Sequence, residues 1–153
     1  MIKEVEIKIL EKDITIPKYA TLNSAGIDLC AYTKTVVDIP PLRTALIRTG
    51  ISINMQTVPE DMMAIILPRS GKGAKEGKVL GNLVGVIDQD YQGELLVSLW
   101  NRNPDLYVKI EPMEKFAQLV FVPIIIPRFK VVEKFSCNTG RGDGGFGSTD
   151  GSN

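Results

Sequence analysis

Short runs rich in valine and isoleucine, separated by proline, glycine and asparagine, constrain the fold of this chain more than any other feature. β-Branched residues pack well on a pleated surface, so such runs are typical of β-strands joined by turns. They predict strands at residues 5–10, 36–39, 45–53, 62–67, 84–87, 94–100, 106–110, 116–126 and 129–132. Helical periodicity fits only one or two turns within residues 71–79. We therefore expect an all-β, single-domain sandwich, jelly roll or distorted β-barrel.

Length, composition and charge indicate one globular domain. A chain of 153 residues can bury about 68–70% of its unfolded surface, which is enough for a proper core. Lysine plus arginine and aspartate plus glutamate number 18 each, which argues against a nucleic-acid polymer or an anionic membrane as the main partner. Pro123 and Pro127 interrupt the longest apolar run, so no run approaches the roughly 18 residues of a membrane span. The alternation of Val5, Ile7 and Ile9 with charged residues indicates a strand and not a signal peptide.

The chain contains no histidine. That absence excludes Ser-His-Asp and Cys-His catalysis and every histidine-ligated metal site. Cys30 and Cys137 are isolated thiols, so we expect a cytoplasmic or other intracellular reducing compartment. Acid–base chemistry must then rest on carboxylates, tyrosine, lysine or cysteine, and a bound metal would be a hard, oxygen-ligated ion such as Mg²⁺.

The segment 81–94, GNLVGVIDQDYQGE, is the strongest indication of a binding site. Its apolar arms predict a β-hairpin with two carboxylates and an aromatic ring at the tip. A structural turn requires the glycines and one aspartate, but it does not require Asn82, Asp88, Asp90 and Tyr91 together. The segment therefore predicts a small-molecule pocket.

Three further segments carry polar side chains at the edges of apolar runs. Arg69, Ser70 and Gly71 follow a predicted strand and suit phosphate oxygens, with a solvated turn as the alternative. Asp28 lies between two apolar residues, so it should be paired or linked to a metal, and a structural salt bridge with an arginine is the alternative. Gln118 interrupts a strand in the same way, where a cross-strand hydrogen bond is the alternative. The glycine- and lysine-rich stretch 71–78 lacks the Walker spacing, so a phosphate loop is rejected there.

The C-terminal region predicts a flexible arm. Residues 140–147 hold five glycines around Arg141 and Phe146, and ordering them costs on the order of 10 kcal/mol of backbone entropy. We expect a core at 1–137 and an arm at 138–153 that is mobile until a phosphate holds Arg141 and a base ring holds Phe146. A plain disordered terminus is the alternative. Residues 124–126 are apolar on both faces, which fits either an internal strand or a subunit contact.

Five motifs in order make the chain resemble the trimeric dUTP pyrophosphatases (dUTPases). They are AGIDL at 25–29, PRSG at 68–71, the segment 81–93, FAQL at 116–119 and RGDGGFGST at 141–149. The resemblance implies a β jelly roll that assembles as a homotrimer, with each active site built from all three chains. It also implies hydrolysis of dUTP to dUMP and pyrophosphate by in-line attack of water on the α-phosphorus. This reaction lowers dUTP and supplies the dTTP precursor.

The resemblance also implies roles for individual residues. Asp88 would deprotonate the attacking water, with Gln118 nearby, and Tyr91 would pack against the deoxyribose and leave no space for a 2′-hydroxyl. Mg²⁺ would bind the triphosphate, with Asp28 reaching it through water. The remaining substrate contacts would come from Asn82, Val86, Ile87 and Leu96 at the uracil, from Arg69, Ser70 and Gly71 at the phosphates, and from Arg141, Phe146, Gly147 and Ser148 in the arm.

The chain departs from the family pattern at three positions. Met113 and Lys115 stand where the family usually has glycine and arginine, so the turn there could differ, and Asp150 replaces a glycine.

Two alternative functions stay open. The enzyme alternative is a dCTP deaminase, in which we would expect a glutamate base where this chain has Ser98. The alternative of another class is a regulatory protein that uses nucleotide occupancy of the same fold to control a protein partner.

Overall fold

The computed structural model describes residues 4–58 and 61–144, which form ten strands and one short helix. The strands are β1 (Glu6–Ile9), β2 (Ile27–Cys30), β3 (Val37–Ile39), β4 (Thr44–Asn54), β5 (Met62–Pro68), β6 (Lys78–Leu80), β7 (Gly85–Ile87), β8 (Glu94–Asn101), β9 (Val108–Ile110) and β10 (Lys115–Pro123), and the helix is α1 (Ser70–Glu76). In the described part of the chain no helix is long and apolar enough to cross a membrane.

The strands form three antiparallel sheets around one core. The first sheet has the order β1-β4-β8-β6, the second has the order β2-β10-β5-β7, and β3 pairs with β9. One cluster of buried apolar side chains draws on all three sheets, for example Ile51 from the first, Phe116 from the second and Ile110 from the third. The expectation of an all-β domain is confirmed, and the described strands do not close into a barrel.

Alternation of apolar residues explains why the central strands form where they do. In β8 the side chains of Leu95, Val97 and Leu99 are buried, and those between them face outward. A run with this period of two places one face on the core. The long strand β4 departs from the rule, because its register against β8 shifts between Arg48 and Ser52.

Most of the predicted strands are present, with two omissions and two errors. The sequence analysis missed β2 and β6, each of which carries a charged residue in a short strand. The strand predicted at 129–132 is wrong, since β10 ends at Pro123 and residues 124–144 form neither helix nor strand. For residues 124–126 the internal-strand alternative is wrong, because they lie beyond β10 and Ile125 is 89% exposed; the alternative of a subunit contact stays a prediction. The boundary at 137–138 stays a prediction.

The predicted hairpin at 81–94 is wrong in its pairing. Strand β7 pairs with β5 in the second sheet, whereas β8 pairs with β4 and β6 in the first. The two arms therefore lie in different sheets, and residues 88–93 cross from one sheet to the other.

Both cysteines, Cys30 and Cys137, are unpaired, and the reducing compartment stays a prediction.

Candidate active site

A cleft of about 560 Å³ lies where β2, β10 and the start of α1 meet. It brings together five of the residues singled out from the sequence, namely Asp28, Arg69, Ser70, Gly71 and Gln118. The pairing of the second sheet explains this. Gln118 on β10 lies opposite Asp28 on β2 and opposite Leu67 on β5, and Arg69 follows two residues after Leu67.

The side chain of Arg69 is held in place from two sides. Its Nε lies 2.8 Å from Asp28 Oδ1, and its Nη1 donates to the carbonyl of Lys115 at 3.0 Å. Lys115 also places its Nζ 3.2 Å from Asp28 Oδ2. The alternative for Asp28, a salt bridge with an arginine, is therefore what the structure contains. The guanidinium is fixed at the wall of the cleft, where its planar set of N–H groups can donate hydrogen bonds to phosphate oxygens.

Gln118 is fixed by a cross-strand hydrogen bond and by close packing. Its Nε2 donates to the carbonyl of Pro68 at 3.0 Å, which leaves its Oε1 directed towards Gly26. A Cβ atom at Gly26 would lie 2.8 Å from that oxygen, so a larger residue there would displace the Gln118 amide. The amide of Gln118 is thus oriented before any ligand arrives.

Two further cations in the cleft were missed by sequence analysis. Lys72 and Lys75 of α1 line it beside Glu76, and the glycine- and lysine-rich stretch was the available signal. Lys75 takes part in no ion pair among the described residues, whereas Lys72 contacts Glu114 at 2.7 Å and Glu76 at 2.9 Å. With Arg69, these lysines give the cleft the cationic lining that a polyphosphate requires.

An ion cluster behind the cleft anchors α1 to the turn before β10. Glu114 Oε1 accepts from Lys72 and from the buried Lys78 at 2.6 Å, and Lys78 also contacts Glu76 at 2.7 Å. Burial acts to raise the pKa of Glu114, but the hydrogen bonds from Lys72 and Lys78 outweigh it and hold that pKa below its usual value. The pKa of Glu76 is lowered by its hydrogen bonds from Lys78 and Lys72. The cluster fixes the helix that begins with Ser70.

The other predicted substrate residues do not line this cleft. Asn82, Val86, Ile87, Asp88 and Tyr91 lie on or beside β7, and Leu96 faces outward on β8. Because β7 runs antiparallel to β5, Ile87 lies opposite Ala64, five residues before Arg69. Five residues of strand span about 17 Å, and Asp88 lies one residue farther away. One chain therefore holds the predicted base and the predicted phosphate cleft apart.

The start of the arm makes only local contacts within the described residues. Arg141 Nε donates to the carbonyl of Gly144 at 2.9 Å, and the backbone of Gly142 turns back on Thr139. The predictions for Phe146, Gly147 and Ser148, and the departure at Asp150, lie outside the described residues.

The turn that the sequence analysis questioned keeps the conformation of a glycine. Met113 has φ of 60°, in the left-handed region that favours glycine, and its N–H donates to the carbonyl of Ala31 at 2.8 Å. The turn therefore forms at some cost in backbone strain.

The neighbouring Cys30 is half-buried, and burial raises the pKa of its thiol, so it is not an activated nucleophile.

Comparison with known proteins supplies the family. A family model described as dUTPase matches residues 12–150. This chain belongs to the dUTPase family. A deoxyuridine 5′-triphosphate nucleotidohydrolase from Serratia proteamaculans is 49% identical over 151 residues, which covers 96% of this chain and 97% of that protein. The corresponding protein of Citrobacter koseri is 48% identical with the same coverage.

Solved dUTPase structures have the same fold. The dUTPase of Staphylococcus bacteriophage 80alpha, in complex with dUPNHPP, superposes with a TM-score of 0.82 at 27% identity, covering 95% of this chain and 98% of the phage chain. A mutant dUTPase from phage phi11 of S. aureus, described with a structural Mg(II) ion, gives 0.76 at 24% identity, covering 87% and 99%. These relatives favour the dUTPase interpretation over the deaminase alternative. The regulatory alternative stays untested.

Proposed function

We propose that this dUTPase hydrolyses dUTP to dUMP and pyrophosphate in a jelly-roll homotrimer, with the phosphates bound in the cleft at Arg69. The observation that carries the proposal is the convergence of Asp28, Arg69, Ser70, Gly71 and Gln118 on one cationic cleft in a member of the dUTPase family. Phosphoanhydride hydrolysis requires a positioned water and neutralisation of charge, and little covalent chemistry from the protein.

The residues of the cleft divide the work. Arg69 is pre-oriented by Asp28 and by the Lys115 carbonyl, so it binds phosphate oxygens without losing much side-chain freedom. Ser70 and Gly71 add a hydroxyl and an open backbone, since a Cβ at Gly71 would meet nothing within 4 Å. Gln118 presents its oriented amide to the attacking water. Asp88, which does not belong to the same copy's cleft, would reach it from a neighbouring copy and accept a proton from that water, so that hydroxide forms as it attacks the α-phosphorus and pyrophosphate leaves.

A second copy of the chain has to complete the site. Asp88 lies beyond the end of β7 that is remote from Arg69, which places it more than about 17 Å from Arg69 along the sheet. No side-chain rotation brings the base of one chain to its own phosphate cleft. The exposed side chains of Ile125, Phe129 and Val131 offer apolar surface for neighbouring copies to cover. The homotrimer implied by the resemblance to dUTPases would bring Asp88 of one copy to Arg69 of another and would cover this apolar surface.

Mg²⁺ fits this site as a companion of the substrate. No group of three potential metal-ligating side chains occurs among the described residues, and Asp28 is shared between Arg69 and Lys115. The protein side chains of this site therefore do not supply a complete set of metal ligands. Mg²⁺ commonly binds through substrate phosphates and one carboxylate. The ion would neutralise phosphate charge, with Asp28 contacting its water shell. Hydrolysis should therefore stop in EDTA and return with Mg²⁺.

Product analysis tests the reaction. The protein is incubated with Mg²⁺ and, separately, with dUTP, UTP, dTTP and dCTP, and the products are separated by chromatography. We expect dUMP and pyrophosphate from dUTP alone, because Tyr91 excludes the 2′-hydroxyl and the uracil site excludes a 5-methyl group. Formation of dUTP from dCTP would identify a deaminase instead. Tight dUTP binding without turnover would favour the regulatory alternative.

Complementation tests the roles of Asp88 and Arg69 and the sharing of sites together. We expect Asp88→Asn to lose turnover while it still binds dUTP, and Arg69→Gln to lose both. When the two inactive variants are co-expressed in equal amounts, random trimers should regain about a quarter of the wild-type activity, because each site draws one residue from each of two copies. Asp38→Asn, an exposed carboxylate on β3, is the matched control and should stay active. Absence of complementation would contradict a site shared between copies.

A further inference from the structure

The position of the Tyr91 ring is set by Gly93, the last residue of the crossing segment, and by Glu94, the first residue of β8. Its hydroxyl donates to the backbone carbonyl of Glu94 at 2.9 Å. The ring also lies directly over Gly93, where an added Cβ would come within 2.5 Å of the Tyr91 hydroxyl oxygen and 2.6 Å of Cζ. The backbone at Gly93 and Glu94 is therefore the platform on which the ring rests.

The side chain of Glu94 fastens this platform to strand β4. Its Oε1 accepts the backbone N–H of Gly50 at 2.8 Å, and Arg48 Nε lies 3.1 Å from Oε1 and 3.0 Å from Oε2. The carboxylate is only 17% exposed. A partly buried carboxylate with two charge-assisted donors holds one geometry far better than a solvated one.

The irregularity in β4 is what makes this contact available. The register against β8 shifts between Arg48 and Ser52, and Gly50 within that interval has φ of 68°. A Cβ at Gly50 would lie 1.8 Å from Ile14 Cδ1, so only glycine fits. A strand bulge of this kind redirects a backbone N–H that would otherwise point into the ladder. Here the redirected N–H meets the Glu94 carboxylate.

Arg48 is itself held on its outer side. Its Nη2 lies 3.1 Å from Glu11 Oε1, and its guanidinium lies 5.3 Å above the ring of Tyr32. A guanidinium over an aromatic face gains cation–π attraction. A continuous set of contacts thus runs from Tyr32 and Glu11 through Arg48 and Glu94 to Tyr91.

We propose that Glu94 is a positioning residue that sets discrimination between deoxyribonucleotide and ribonucleotide, with Arg48 as its support. The inference rests on the proposed function, in which Tyr91 packs against the deoxyribose. A filter that rejects one hydroxyl group works only while the ring stays close to the 2′-carbon, because a small retreat admits the extra oxygen. Loosening Glu94 lets its carbonyl and the Tyr91 hydroxyl move together, so UTP gains access.

The test compares kcat/KM for dUTP with kcat/KM for UTP in folded variants. We expect Glu94→Ala to lower the dUTP/UTP ratio by about tenfold, mostly by improving UTP turnover. Glu94→Gln keeps the hydrogen bond from Gly50 but loses the ion pair, so it should give a smaller decrease, similar to that of Arg48→Gln. Glu6→Ala, which removes an exposed carboxylate bonded to Asn54 on the same sheet, is the matched control and should leave the ratio unchanged.

A double-mutant comparison separates positioning of the ring from general damage. If Glu94 acts through Tyr91, adding Glu94→Ala to Tyr91→Ala should lower the ratio no further than Tyr91→Ala alone. A wild-type ratio in Glu94→Gln and Arg48→Gln, in a protein whose ratio does fall with Tyr91→Ala, would overturn the inference. These two variants decide the question even if Glu94→Ala fails to fold. A wild-type enzyme that does not discriminate between dUTP and UTP would contradict the proposed role of Tyr91 in excluding the 2′-hydroxyl. A Tyr91→Ala variant that still discriminates between them would contradict it as well.

Discussion

Neutralising Glu114 should destabilise the protein by leaving the cations of the ion cluster short of a carboxylate partner. The carboxylate accepts from Lys72 at 2.7 Å, from Lys78 at 2.6 Å and from the backbone N–H of Glu111 at 3.0 Å. In Glu114→Gln the buried Lys78, whose side chain is 6% exposed, keeps only the more exposed Glu76 as a carboxylate partner. The variant therefore leaves two cations to share one partly solvated anion.

The expected loss follows from the cost of an uncompensated buried charge. Breaking a buried ion pair by removing one partner costs about 3–5 kcal/mol. Because Glu76 still contacts both lysines, we expect the lower limit, about 3 kcal/mol, and a fall in Tm of about 6–12 °C for a chain of this size. Lys78→Met is the matched variant, since it leaves Glu114 paired with Lys72 and fills the space with apolar atoms. Its cost should be about 1 kcal/mol or less.

The effect should also depend on pH with a definite sign. The pKa of Glu114 is lowered in the folded protein from its usual 4.5, so its contribution to stability is complete above pH 4.5 and is lost as the pH falls through the folded-state pKa. Glutamine does not titrate. The difference in unfolding free energy between wild type and Glu114→Gln should therefore be constant near neutral pH and should shrink below pH 4.5.

Urea unfolding followed by the fluorescence of the single tryptophan, Trp100, measures both quantities. The concentration of chains has to be the same in every sample, because the proposed association between copies would add to apparent stability. A loss below about 1 kcal/mol at pH 7 would refute the reasoning, since it would mean that Lys78 is solvated or paired elsewhere. A difference that stays constant down to pH 3 would refute the assignment of the titrating group.

Two further substitutions test the backbone and the core. Met113→Gly should raise the free energy of unfolding by roughly 0.5–1 kcal/mol, because the left-handed backbone at φ 60° costs methionine more than glycine, and an unchanged urea midpoint would contradict this. Asn101→Asp should cost about 3 kcal/mol or more, because the fully buried Nδ2 donates to the carbonyls of Ile39, Pro40 and Leu106 and a carboxylate oxygen cannot. A circular-dichroism melt within a few degrees of wild type would show that the three carbonyls find other donors.

The strands that sequence analysis missed are those whose charges are satisfied from far along the chain. Asp28 makes β2 look unlike a buried strand, and its partner Arg69 lies 41 residues later. Lys78 does the same for β6, with its partner Glu114 lying 36 residues away. A periodic pattern reports only local burial. It carries no information about a charge that a distant segment neutralises.

The errors at β7 and at residues 129–132 also arise from non-local pairing. The arms around the crossing segment alternate as hairpin arms should, yet each pairs with a strand of a different sheet. Residues 129–132 have strand composition, but Phe129 is 95% exposed and these residues pair with no described strand. Composition predicted that most strands exist. Arg69, Ser70 and Gly71 do line one cleft, and phosphate binding there stays a prediction. Composition could not predict which strands pair with each other.

The division of the proposed site between two ends of one sheet follows from the same topology. Strand β5 leads directly to Arg69, and β7 runs back along it, so the chain delivers Asp88 to the opposite end. The motif at 81–93 and the motif at 68–71 are close in sequence but cannot meet on one substrate within one copy. Under the proposed roles of Asp88 and Arg69, association between copies would be a condition of catalysis. Substitutions at contacts between copies should therefore lower kcat in dilute solution while leaving the phosphate cleft of each chain intact.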